Sequence, residues 1–367
     1  MNKISSPKSN YPKYVLDVGG QHFNDLLGRA DAFIFAAGFE GRATRVPFVC
    51  PAIRNVVVIV FEGGPQENDV TLEKVYERFN KAGDLHVCVL NFAQLERFEK
   101  SFEASLKLIK APEAGELVMD ISAMPNFSIC VAIAKIRQLY PTFKLTLLYT
   151  EAQSYFPPKE YYTHIKRKSV NRPTDLEPEY LSTKAVAMFI PSMFSGVTLG
   201  QNDTCLIVFV GYEPHRTNCA IEALNPNKLV LVYGVPGRAD LGWRLELSKI
   251  MHRGFDEQVK HAEEQTSTSN VDDNLSLIVN YYEHLYDDHT LAVSPINSKI
   301  QAVAAVIAWE TYPDIQLNFP IPAEYLPHQF STSWGKTYAI SLGTSVSARR
   351  FAPKFLEPNS QNRGVAR

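Results

Sequence analysis

Residues 118–141 read VMDISAMPNFSICVAIAKIRQLYP. An apolar run meets Asp120, passes through Ser-Ala-Met-Pro, and continues as a helical pattern. This is the sequence of a strand delivering polar groups to a helix start, with Pro125 suited to the first helical turn. The pattern returns later in the chain. ISAMPNFSICVAIAKIRQLYPTFKL from Ile121 aligns without gaps to VSPINSKIQAVAAVIAWETYPDIQL from Val293, with six identities in 25 positions. AAGFEGRAT (36–44) likewise faces FVGYEPHRT (209–217), pairing Gly38 with Gly211, Phe39 with Tyr212, Glu40 with Glu213 and Thr44 with Thr217. The offsets are 172 and 173, which points to one unit built twice.

Around these turns the first half alternates short apolar runs with helical patterns. The runs are AFIFAAG (32–38), NVVVIVF (55–61), LHVCVLN (85–91), LVMDIS (117–122) and KLTLLYT (144–150). Continuous apolar character over six or seven residues suits strands buried on both faces. Strands alternating with helices imply parallel neighbours and right-handed crossovers. The second half repeats the plan with CLIVFVGY, KLVLVYGV, TLAVS and IQLNFPI. QVKHAEE (258–264) is too polar for a convincing strand, and EEQTSTSNVDDN (263–274) reads as an exposed loop. The expected fold is α/β, a tandem duplication of a doubly wound, mostly parallel Rossmann-like sheet. The expected divisions are a polar leader (1–30), lobe 1 (31–151), a linker with a helix around YLSTKAVAMF (152–204), lobe 2 (205–348) and a polar tail (349–367).

Composition narrows the class. The chain has 367 residues, 45% hydrophobic and 21% charged, with a net charge of -2. Such a balance gives no electrostatic argument for nucleic acid or membrane binding and leaves nucleic acid open. No apolar run approaches the ~20 residues of a membrane span. The amino terminus lacks the apolar core of a signal peptide, and the five cysteines form no CxxC pair. A soluble, cytoplasmic protein with reduced thiols is expected.

In an open parallel sheet, ligands bind beyond the carboxyl ends of the strands, near a switch in strand order. That rule selects Gly38, Glu40 and Arg42 after the first strand of lobe 1, and Asp120, Ser122 and Asn126 after the fourth. In lobe 2 it selects Gly211, Glu213 and Arg216, then Ser294, Lys299 and Gln301. Helix starts favour anions, and arginine suits phosphate or carboxylate. The competing reading is structural: serine and asparagine cap helices everywhere, and a Glu–Arg pair can simply orient a loop. The sequence has no GxGxxG, GxxxxGK[ST], GxSxG or HExxH pattern, so neither a cofactor nor a metal is expected.

With DISAMP at a strand-to-helix turn and the plan doubled, the chain resembles the CARF-type, Rossmann-like nucleotide-sensing proteins of bacterial defence systems. The resemblance covers the plan of both lobes and the turns at 120–126 and 294–301. It implies a sensor or a complex subunit in immunity, and the reading is a non-catalytic, two-lobed sensor or assembly subunit that binds a nucleotide-like anionic ligand or a partner protein at the strand carboxyl ends, with a protein partner or a second copy expected. Two alternatives stand beside it: a nucleotide or N-glycoside hydrolase using Glu40 and Asp120 as an acid–base pair, and a purely structural interaction module.

Overall fold

The computed structural model describes residues 9–63, 67–79, 84–110, 112–171, 182, 186–196, 203–253, 260–326 and 330–345. The chain opens with strand β1 (Lys13–Leu16) and helix α1 (Gln21–Gly28). Lobe 1 then runs β2 (Ala32–Ala36), β3 (Asn55–Glu62), α2 (Glu67–Phe79), β4 (Asp84–Asn91), α3 (Phe98–Lys107), β5 (Glu116–Asp120), α4 (Asn126–Leu139) and β6 (Lys144–Thr150). A connecting region carries β7 (Ser154–Tyr155), α5 (Lys159–Asn171) and β8 (Val186–Phe189). Lobe 2 runs β9 (Asp203–Val210), α6 (Pro214–Leu224), β10 (Lys228–Val235), α7 (Trp243–Met251), β11 (Lys260–Ser267), α8 (Val271–Leu285), β12 (His289–Pro295), α9 (Lys299–Thr311) and β13 (Gln316–Leu317). Three short strands close the described chain: β14 (Phe319–Pro322), β15 (Ser331–Thr332) and β16 (Thr337–Gly343).

The two large sheets share one topology. Five strands of the first lie in the order β4-β3-β2-β5-β6, and the second lies in the order β11-β10-β9-β12-β13. All these neighbours pair in parallel. This is the half-Rossmann order, with its reversal between β2 and β5 and again between β9 and β12. The registers agree as well. Ala36 pairs with Ile59, and Phe209, 173 residues on, pairs with Val232. The fold is therefore the duplicated, doubly wound sheet expected from the sequence.

The lobes meet through α4 and α9. Each is apolar nearly all round, with residues 127–137 and 300–308 buried without interruption. A helix of that kind must be covered on every side. Here each packs on its own sheet and on the other helix, so one hydrophobic core runs through both lobes. Polar bonds fix the alignment: Asn126 Nδ2 donates to the Pro295 carbonyl (2.7 Å), and the Cys130 thiol to the Ala302 carbonyl (3.3 Å). At the far end, Arg137 pairs with Glu310 at 3.3 Å and donates to the Leu342 carbonyl. The helices therefore run side by side in the same sense, and both amino ends reach one rim.

Several local expectations change. Residues 260–267 form β11, paired with β10 along its whole length, and α8 starts at Val271. Its polarity belongs to an edge strand with one open side. The helix of the connecting region is α5, which packs on α7 through Tyr162 and Trp243 (5.4 Å between rings). Part of YLSTKAVAMF is instead β8, antiparallel to β14. The first sheet is completed by both ends of the chain. β16 pairs antiparallel with β6, and β1 with β16, although the sequence division gave these residues to lobe 2 and to a leader. The tail 349–367 lies outside the described residues. All five cysteines are free thiols, four of them buried. Among the described residues no helix is long and apolar enough to cross a membrane.

Candidate functional site

The rim where α4 and α9 begin carries a cleft of about 290 Å³ between the lobes. Lobe 1 contributes Glu40, Arg42, Asn126 and Glu151. Lobe 2 contributes Gly211, Glu213, Arg216, Arg238, Arg244 and Lys299. The cleft thus lies beyond the strand carboxyl ends of both sheets, at both switch points. A smaller chamber of about 80 Å³ adjoins it, with Glu40, Pro125, Lys299, Tyr325 and Phe330 lining both. Gly38 lines the chamber, where an added Cβ would come within 3.0 Å of Ala123 Cβ. A wider groove of about 920 Å³ follows β11 and α8.

The Glu40–Arg42 loop is a closed structural unit. Glu40 takes two 3.0 Å bonds from the Arg42 guanidinium and one from the Ser331 hydroxyl. Arg42 also donates to the Thr150 carbonyl (3.3 Å) and lies near the rings of Tyr149 and Tyr155. Burial pushes the Glu40 carboxyl upward, but Arg42, with Lys299 and the Ser331 hydroxyl, outweighs it and holds the group below its ordinary range. Glu213, the counterpart in lobe 2, accepts from Ser182 N and Oγ (3.1 and 3.0 Å) and lies 4.0 Å from Arg216. Arg216 donates to the Pro320 carbonyl (3.0 Å).

Four of the residues singled out in the sequence sit beneath the rim. Asp120 and Ser122 are 2% and 0% exposed, and they bond to each other. The same Ser122 oxygen accepts from the Thr150 amide at 2.8 Å, which joins β5 to β6. Burial raises the Asp120 carboxyl to about 6. Ser294 donates to Asn318 Oδ1, and Gln301 completes a capping box with Ser298 at the start of α9. These four are joints of the turns. With Glu40 held by Arg42 and Asp120 by Ser122, neither carboxyl stands free in the cleft.

Lys299 and Arg244 differ from the other cations. Lys299 reaches from lobe 2 to the Met124 carbonyl of lobe 1 at 2.5 Å. Burial, with the neighbouring Arg42, lowers its ammonium to about 7 against the opposing pull of Glu40 and Asp120. Arg244 donates to the carbonyls of Tyr155, Phe156 and Pro157 at 3.2, 2.8 and 3.3 Å, and burial lowers it to about 10. Among the described residues neither forms an ion pair with a carboxylate. Arg238, by contrast, is paired with Asp240 at 2.6 Å.

Arg238 lies inside the Gly/Pro loop YGVPGRADLG (233–242) and Arg244 two residues beyond it; the loop matches neither the dinucleotide nor the phosphate-loop pattern, so neither arginine stands out in the sequence. Tyr155 and Phe156 line the cleft. Tyr161 and Tyr162 instead pack in a separate cluster with Tyr212 and Trp243. Asn68, Phe61, Phe92, Tyr325 and Phe330 carried no sequence signal for a site.

The class these features define is a two-lobed Rossmann-like α/β protein with a polar cleft between its lobes. No protein-family model and no curated protein matches the sequence. Among solved structures the chain is similar to a type III CRISPR defence DNA nuclease activated by cyclic oligoadenylate, with 9% identity and a TM-score of 0.45, over 76% of this chain and 63% of that one. It is also similar to an adenylation, ketoreductase and pseudo Asub multidomain structure of a keto acid-selecting NRPS module, with 12% identity and a TM-score of 0.20, over 86% of this chain and 35% of that one. The chain spans less than two thirds of the length of either. At these values neither likeness bears on chemistry.

Proposed function

We propose that the chain is a non-catalytic, two-lobed sensor or assembly subunit of a bacterial antiviral defence system, binding a nucleotide-like anionic ligand in the inter-lobe cleft. One observation carries the ligand class. Arg244 and Lys299 face the cleft, and their hydrogen bonds go to neutral carbonyls rather than to carboxylates. A half-buried cation with no carboxylate in ion-pair reach is poorly compensated, and an anionic guest supplies a direct counter-ion. The non-catalytic reading is supported by the engagement of Glu40 and Asp120, the pair the hydrolase reading would use. The defence setting follows the resemblance of the DISAMP turn and the doubled plan.

The test is isothermal titration with nucleoside monophosphates and cyclic oligonucleotides, backed by thermal shift, since a ligand bound to the native state raises its stability. Binding is expected to weaken at least tenfold in Lys299→Met. It is also expected to take up a fraction of a proton near pH 8, because an anion beside Lys299 favours its charged form. The reading is lost if no nucleotide binds, or if binding is indifferent to Lys299→Met and Arg244→Met.

A further inference from the structure

The two rims are not equivalent, although the sheets beneath them are. In lobe 1 the carboxyl ends of β3 and β4 present Phe61 and Phe92, stacked at 5.8 Å with 23° between their planes. Phe92 continues onto Tyr325 (5.6 Å), and Tyr325 onto Phe330 (5.7 Å). These rings wall the 80 Å³ chamber. Asn68, at the start of α2, lines the same chamber and is only 4% exposed. Its Oδ1 has no hydrogen-bond partner among the described residues. A buried amide oxygen left unpaired is costly, so it marks a place where a donor belongs.

The paired registers identify the lobe 2 positions. Ile59 opposes Cys88 in β3 and β4, and Val232 opposes Glu264 in β10 and β11. Two residues beyond Ile59 is Phe61, and four beyond Cys88 is Phe92. The same steps in lobe 2 reach Gly234 and Thr268. The space of the missing rings is taken by Asn297, for a Cβ on Gly234 would come within 2.5 Å of both Asn297 Nδ2 and Thr268 Cγ2. One lobe holds an aromatic chamber with an unpaired acceptor. The other has filled the matching place.

We infer that the lobe 1 chamber takes one nucleobase edge of the ligand, with Asn68 Oδ1 accepting from a ring N–H or exocyclic amine, and that the cleft therefore reads an asymmetric guest carrying a single inserted base. This rests on the cleft reading above and narrows it. The chamber is smaller than the ~150 Å³ apolar cavity that admits benzene, so only the leading edge of a ring enters. The rest of the base, and the phosphate, stay in the adjoining cleft beside Lys299, which lines both spaces. A planar ring also suits the walls, since aromatic contacts tolerate different bases while the amide selects the edge.

The experiment compares AMP, GMP, CMP and UMP with ribose 5-phosphate by isothermal titration. The expected result is one nucleotide per chain, with the best of the four binding at least tenfold tighter than ribose 5-phosphate. That gap closes in Asn68→Leu and in Gly38→Ala, which narrows the chamber, and persists in Thr268→Val on the lobe 2 side. Two variants guard against misfolding of either one, and circular dichroism checks both. If nucleotides and ribose 5-phosphate bind the wild type equally, or the gap survives in folded Asn68→Leu and Gly38→Ala, the base chamber is refuted while the anionic cleft stands. Two nucleotides per chain also overturn it. If nothing binds, the cleft reading fails and takes this one with it.

Discussion

Lys299 and Asp120 belong to one buried charge cluster with Arg42 and Glu40, and their protons move in opposite directions on folding. Lys299 falls from 10.5 to about 7 in the fold, chiefly through burial. Between those values the unfolded chain holds the extra proton, so stability rises as pH rises from about 7 toward 10.5. Asp120 rises from 3.8 to about 6, so its contribution is full below 3.8 and is lost as pH climbs through 6. Urea midpoints followed from pH 4 to 9 are expected to fall between about 4 and 6, the Asp120 range, and to recover above about 7, the Lys299 range. Asp120→Asn removes the fall and Lys299→Met the recovery. An unchanged profile in both variants contradicts the assignment. At this scale the sequence named the participants but not their roles. Glu40, Arg42 and Lys299 stand out as charges after strands. Nothing local shows that Glu40 and Arg42 close on each other while Lys299 crosses to the other lobe.

Among the elements, α4 and α9 depend on small residues where they touch. Ala302 is fully buried, and its carbonyl accepts from the Cys130 thiol. Ala302→Leu adds three carbons to a seam without room for them. It is expected to cost about 1–3 kcal/mol, and more if the rim opens. A denaturant midpoint within error of the wild type counts against tight packing there. The strands at the centres of the sheets were legible because continuous apolar runs leave one solution, and 144–150 and 228–235 coincide with β6 and β10. β11 was not, because KHAEEQTS carries the polarity of a loop and is made a strand by β10 alone. β1 and β16 were missed for the same reason in stronger form, since their pairing joins Lys13 to Ile340 across nearly the whole chain.

For the molecule as a whole, the lobes share one core and the first sheet is finished by the last strand of the described chain. Unfolding is therefore expected as one cooperative transition, with calorimetric and van't Hoff enthalpies in agreement. Two resolved transitions, one per lobe, contradict this. Truncation before Thr337 strips β6 of one of its two neighbours and is expected to lower the midpoint of the entire transition rather than of one lobe.

A pair of identical subunits related by a two-fold axis has to change both mouths at once, since every mutation appears twice. Here the halves are read from separate stretches of one gene. Phe61 and Gly234 were thus free to part company while the layers of sheet and helix below them kept the same plan. Covalent linkage of the halves thereby releases the molecule from having to recognise only things that are themselves symmetrical.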